Sequence, residues 1–217
     1  MSQFIDIFLH LDVHLSNVIT TYGTSTYFIL FFVVFCETGL VITPFLPGDS
    51  LLFAAGTFAA LGALNVWLVL LFYCLAAIIG DTVNYWVGRN IGLKVFNLNI
   101  PFLKKDYVDR TEYFYKKHGR KTVVLARFIP IIRTFAPFVA GLGRMPYGVF
   151  LTYSIGGTLA WVNIFVWGGY FFGNIPIIKE NFTIAIFAVI GISILPGIIK
   201  YIHHLVTRNR PTTKLTV

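Results

Sequence analysis

The chain alternates long apolar runs with a few sharply polar points. Residues 26–42, TYFILFFVVFCETGLVI, carry a single charge, Glu37. The next eight residues, TPFLPGDS, hold Pro44, Pro47, Gly48 and Asp49, a composition that ends a helix. Residues 51–64 then form a short apolar arm, about 20 Å long as a helix, against a hydrocarbon core of about 30 Å. Residues 66–88, 149–172 and 182–202 are each long enough to span. Residues 122–144 are apolar too, but contain RFIPIIRTFAPFVAG, with Arg127, Pro130, Arg133 and Pro137 inside the run. Residues 1–22 are mixed, and read as an N-terminal interfacial helix or a weak span.

Composition turns these runs into a class. Hydrophobic residues make up 57% of the 217 positions and charged residues only 12%, about half the charged share of a soluble domain. The expected fold is an all-α membrane protein, with residues 1–217 a single integral domain. The N-terminus lacks the basic segment of a cleavable signal peptide. Cys36 and Cys74 lie in apolar runs with no CxxC or Cys/His cluster nearby, and read as free buried thiols.

The charge distribution gives the topology. No Lys or Arg precedes position 89, whereas residues 89–121 hold nine bases against three acids. In a membrane protein such a run is a cytoplasmic loop with affinity for anionic lipid headgroups, not a nucleic-acid site. Residues 203–217 form a second basic segment, and the 173–181 connection carries one base and one acid. Parity then places both ends of 122–144 on the cytoplasmic side, so this segment is expected to be a re-entrant hairpin turning between Pro130 and Pro137. Broken backbone at that depth must be buried in protein or line a wet cavity. Residues 26–64 repeat the device: Glu37 lies ten positions before Pro47 as Arg127 does before Pro137, and "AAG" at 54–56 echoes "VAG" at 139–141. The expected architecture is an inverted-repeat bundle with two opposed re-entrant hairpins plus transmembrane helices. Pro44, Pro47, Gly48, Pro130 and Pro137 are its breaks, and paired broken segments mark a midplane binding site.

Charges within such segments need partners or water. The buried acids fall in the first half and the buried arginines in the second, so Glu37 and Asp49 are expected to face Arg127 and Arg133. Two arginines suit phosphate, because the guanidinium fork binds phosphate oxygens and keeps its charge. The substrate-binding set is therefore Arg127, Arg133, Glu37 and Asp49. Proton coupling would fall to Glu37, Asp49 or Asp81, although Asp81 can equally bond to nearby backbone at the membrane edge. No zinc motif or nucleophile elbow is present. No catalytic activity, cofactor or metal is expected, and oligomeric state is left open, a homo-oligomer included. Tyr22, Trp67, Tyr147 and Tyr170 read as interfacial belts.

Three segments, FCETGLVITPFLPGDSLLFAAG (35–56), GDTVNYWVGRNIG (80–92) and ARFIPIIRTFAPFVAGLGRMPY (126–147), together resemble the DedA family of bacterial inner-membrane proteins. The resemblance implies the fold shared with eukaryotic VTT-domain lipid scramblases. It also implies lipid-carrier work: return of undecaprenyl phosphate, movement of phospholipid, and support of proton motive force and of resistance to cationic peptides. The family's essential acidic and arginine positions match Glu37, Asp49, Arg127 and Arg133. The expected function is a flippase for a phosphate-headed lipid; the alternative is a proton-coupled small-cation antiporter.

Overall fold

The computed structural model describes residues 11–40, 48–91 and 119–172, with residues 113, 115 and 175. The expected span 182–202, the tail 203–217, Pro44, Pro47 and most of the basic loop lie outside the described residues. What is described is all helical. In chain order the helices are α1 (Leu11–Tyr22), α2 (Thr26–Gly39), α3 (Gly48–Ala60), α4 (Val66–Ile91), α5 (Thr122–Ala126), α6 (Pro130–Leu142) and α7 (Tyr147–Phe172). Three stretches are long and apolar enough to cross a membrane: Val13–Gly39, Val66–Asn90 and Tyr147–Phe172. The first is interrupted. Gly23 adopts a positive φ of 51°, and Thr26 Oγ1 lies 3.4 Å from the Val18 carbonyl oxygen. Eight residues of straight helix would rise about 12 Å, so the chain turns a corner between α1 and α2.

The two long helices α4 and α7 pack on each other and organise the rest. Helices α2 and α6 lie along α4, and helices α3 and α5 along α7. On α4 the residues Leu68, Leu71, Leu75, Ile79, Val83 and Trp86 are exposed, whereas Tyr73, Ala76, Ala77, Asp81, Asn84 and Tyr85 are buried. That spacing divides one helix into two faces, with the polar residues on the inner one. On α7 the inner face is Phe150, Ser154, Thr158, Trp161, Val162 and Val166.

Lipid tails are as apolar as leucine, so these helices gain little from hydrophobic transfer and rely on close packing and polar contacts. Glycines supply the closeness. A Cβ on Gly56 of α3 would strike the backbone at Val166 and Tyr170, and one on Gly141 of α6 would strike it at Tyr85 and Arg89. Gly169 and Gly88 meet the backbone of Phe53 and Phe138 in the same way.

The expected turn between Pro130 and Pro137 is not where the chain breaks. The break is at Arg127–Ile129, between α5 and α6. Pro130 opens α6 and Pro137 lies inside it. Pro130 is accommodated because the first helical residue needs no N–H partner. The arms are consequently unequal, five residues in α5 and thirteen in α6. Val123, Ala140 and Phe150 share one small core cluster with Tyr85, so the start of α5, the end of α6 and the start of α7 meet at one place. At the far end of the molecule the Asn65 N–H donates to Tyr27 Oη at 2.7 Å, joining the start of α2 to the start of α4.

Alanine at Gly56 or Gly141 is expected to destabilise the protein by about 1–3 kcal/mol, because backbone rather than a flexible side chain must move. Gly156→Ala, where nothing lies within 4 Å of the added carbon, should be neutral or gain up to about 1 kcal/mol of helix preference. Thermal unfolding in detergent, followed by size exclusion, measures both.

Candidate functional site

Helices α2 and α5 end, and helices α3 and α6 begin, inside the bundle, and the charged residues are carried at those ends. Glu37 is in the last turn of α2, Asp49 in the first turn of α3, Arg133 in the first turn of α6, and Arg127 directly follows α5. Arg133 forks between the two acids: Nη2 donates to Glu37 Oε1 and Nη1 to Asp49 Oδ1, each at 2.6 Å. Glu37 is 2% exposed and Arg133 9%, and the Asp49 side chain is 13% exposed, so the triad is largely shielded from solvent, with Asp49 its most open member. Trp161, fully buried on α7, donates from Nε1 to Asp49 Oδ1 at 2.9 Å. Gly48 has no room for a side chain, because a Cβ there would collide with the Glu37 carboxylate.

Arg127 does not join this triad, contrary to the expectation that both arginines face Glu37 and Asp49. Its Nη2 donates to Asp81 Oδ2 and, at 3.3 Å, to Ser154 Oγ, while Ser154 Oγ donates to Asp81 Oδ2 at 2.6 Å. Asp81 is buried at 5% exposure and is a counter-ion rather than a backbone-bonded residue at the membrane edge. The break falls just before Pro130 rather than between Pro130 and Pro137, and this sets Arg127 at the exit of α5, facing α4 and α7. Gly157 of α7 leaves the space that the Arg127 stem occupies.

Trp161 links the two clusters. Its ring centroid lies 5.9 Å from Arg127 Cζ and 5.1 Å from Arg133 Cζ, within cation–π range. Asn84, fully buried on α4, donates from Nδ2 to the Thr38 carbonyl at 3.1 Å and to the Thr134 carbonyl at 2.8 Å. One amide thus holds the end of α2 to the start of α6. Among the described residues, the arginines Arg127 and Arg133 are bonded to three carboxyl groups, Glu37, Asp49 and Asp81. Fully ionised, the cluster has one negative charge in excess.

Ser154, Trp161 and Asn84 are not among the residues to which the sequence alone points. A signal existed for Trp161: it lies mid-way along α7, where an interfacial tryptophan has no reason to be. Tyr147, expected in a belt, instead packs its ring on Tyr85 and Trp86, and its hydroxyl is 3.2 Å from Thr82 Oγ1. Trp67 is exposed as a belt residue would be. Cys36 and Cys74 form no disulfide.

A buried ion pair adds little net stability, but removing one partner costs about 3–5 kcal/mol. Arg133→Met is therefore expected to destabilise the protein by about that much, and adding Glu37→Gln with Asp49→Asn should recover a large part of it. Thermal unfolding of the single, double and triple variants in detergent checks this, and simple additivity of the losses would contradict the described pairing.

The VTT domain family profile matches residues 46–171. Protein DedA of Escherichia coli K12 is 53% identical over 203 residues, which cover 92% of this chain and 93% of that protein. The inner membrane protein YqjA of the same strain is 35% identical over 152 residues, 70% and 69% of the two chains. An uncharacterised membrane protein of Mycobacterium tuberculosis H37Rv is 42% identical over 171 residues, 77% and 75% of the two chains. No solved structure matches the chain. With three apolar stretches of membrane-spanning length among its described residues, the chain belongs to the DedA family and is a multi-pass protein of the bacterial inner membrane.

Proposed function

We propose that this protein is a flippase that carries a phosphate-headed lipid across the inner membrane, with undecaprenyl phosphate the preferred cargo. The observation that carries this reading is the buried Arg133 fork, held by Glu37 and Asp49 where the broken helices meet. The carboxylates occupy the guanidinium edge that a phosphate would use, and they release it when the headgroup arrives. A soluble phosphate would have to shed its whole hydration shell to reach this depth. A lipid brings only its head into the site, while its tail stays in hydrocarbon.

In this reading residues 26–64 and 122–144 are re-entrant hairpins entering from opposite faces. Residues 66–88, 149–172 and 182–202 are the spans, 1–22 form an interfacial helix or a weak span, and 89–121 and 203–217 lie at the cytoplasmic surface. Two sets of contacts support an internal inverted repeat. Gly56 and Gly141 each follow a phenylalanine by three positions, and each meets two residues four apart on a long helix. Those residues, Val166 with Tyr170 and Tyr85 with Arg89, flank Gly169 and Gly88 at identical offsets. The turns that follow also agree. The Ala63 N–H donates to the Phe58 carbonyl and the Met145 N–H to the Ala140 carbonyl, each at 3.0 Å, with Gly62 and Arg144 both at positive φ.

The excess negative charge supports coupling to protons. An anionic headgroup entering a cluster already short of positive charge needs a carboxyl group to take up a proton first. The same excess favours the second reading, a proton-coupled cation antiporter, in which the acids bind the cation and the arginines only balance charge.

Liposome reconstitution separates the two. Undecaprenyl phosphate labelled on one leaflet should cross in protein-containing vesicles, faster under an imposed pH gradient. Arg133→Lys should lower the rate at least tenfold, because an ammonium cannot reproduce the fork. Phosphatidylethanolamine, whose amine could meet an acid, is the competing lipid. No movement of either lipid, together with gradient-driven cation exchange, would establish the antiporter instead. Topology is tested independently, in a protein lacking Cys36 and Cys74. Lys121→Cys and Arg144→Cys should both label from the cytoplasm and Ile175→Cys from outside; labelling of the first two from opposite faces would rule out the second re-entrant hairpin.

A further inference from the structure

Arg127 is a buried guanidinium with more donors than the protein uses. It is 4% exposed, and its Nε and Nη1 have no hydrogen-bond partner among the described residues. Of the five N–H donors that arginine carries, only those on Nη2 are engaged, by Asp81 and Ser154. Leaving buried donors unmet is costly. A residue needed only to neutralise Asp81 could be a lysine, with fewer donors to satisfy. The open donors point to an acceptor-rich group that is absent in the resting arrangement. Arg133 differs, since both of its Nη atoms are held by carboxylates.

We propose that Arg127, Asp81 and Ser154 form a second phosphate station, distinct from the Arg133 site, with Trp161 as the wall shared by the two. The proposal rests on the lipid-phosphate reading above and adds an order to it. Along α7, Ser154 precedes Trp161 by seven residues, a rise of about 10 Å, towards the end that the basic loop assigns to the cytoplasm. The headgroup therefore passes from one arginine to the other along the ring of Trp161, which contacts both guanidiniums. At the second station Asp81 is the resting occupant. When phosphate takes Arg127, Asp81 loses its cation but keeps the Ser154 hydroxyl as a donor. The neighbours of Arg127 thus have opposite effects. Asp81 competes with phosphate, and Ser154 eases the displacement.

The test uses the full chain in detergent micelles with Trp67, Trp86 and Trp167 changed to Phe, leaving Trp161 as the sole tryptophan reporter. Dodecyl phosphate is titrated against Trp161 emission, with inorganic phosphate as a parallel arm. Dodecyl phosphate should give a saturable shift. Arg127→Lys should weaken binding about tenfold, Asp81→Asn should tighten it by a similar factor, and Ser154→Ala should weaken it about threefold, as expected when a charge-assisted contact is lost or released. Should Asp81→Asn fail to fold, Arg127→Lys and Ser154→Ala still carry the test. A response lost in Arg133→Lys but unchanged in all three variants would overturn the second station and leave the first standing. No saturable response in the parent protein would instead remove the lipid-phosphate reading itself. Inorganic phosphate binding as tightly as dodecyl phosphate would overturn the assignment to a lipid head.

Discussion

A permanent charge within a bilayer must be matched inside the protein, and the arrangement of this molecule follows from how Arg133 is matched. Its two carboxylates come from the end of α2 and the start of α3, so α2 must stop and α3 begin at the depth where α6 starts, with Arg133 in its first turn. Helices that stop inside a bundle expose backbone donors and acceptors. At this junction α3 and α6 present their N-termini, which carry partial positive charge, and Asp49 in the first turn of α3 is favourably placed against its own helix end. Pro130 at the start of α6 removes one donor that would otherwise need a partner. Asn84 supplies its amide to carbonyls of both broken segments. The broken helices and the buried charges are therefore one feature, since each supplies what the other lacks.

The long helices solve a separate problem. Their outer faces dissolve in lipid and their inner faces carry Asp81, Asn84, Ser154 and Trp161, the reverse of a soluble amphipathic helix. With little hydrophobic gain available between helices, contact depends on glycine at the crossings. Adding even a methyl group at Gly56 or Gly141 forces backbone apart. The crossings lie between a short arm and a long helix, so the same contacts that hold the bundle also fix how far Glu37 and Asp49 stand from Arg133.

The triad of Glu37, Asp49 and Arg133 was legible in the sequence because isolated charge in an apolar run is costly, and acids in one half with bases in the other leave few ways to pair. The helix-breaking character of the two segments was legible because closely spaced prolines each remove a backbone N–H that a helix interior needs. The rest was obscured by rules with more than one outcome. Proline both ends helices and begins them, and at Pro130 the second role places the break directly before it, at Arg127–Ile129. That placement turns Arg127 from the triad towards Asp81. Ser154 carries no charge and is ordinary in a membrane helix, so its sequence gives no sign of its partner. Trp161 depends on a contact with Asp49 from a helix more than a hundred positions away, which no local pattern records.

The resting partners of the arginines bear on how a carrier can use them. A guanidinium left bare in a dry cavity would hold a phosphate too tightly to release it, whereas in the proposed carrier a carboxylate would have to be displaced before phosphate entered. Binding is then an exchange of one anion for another, and its free energy is the difference between two strong interactions rather than either alone. In that reading the returning carboxylate would drive the phosphate off again by the same exchange. In the proposed carrier, the two carboxylates at Arg133 and the one at Arg127 would favour that return, and a proton taken up by a displaced acid would make the exchange sensitive to the gradient across the membrane. A site that pairs its arginines internally would thus suit the proposed passing-on of a headgroup better than its retention.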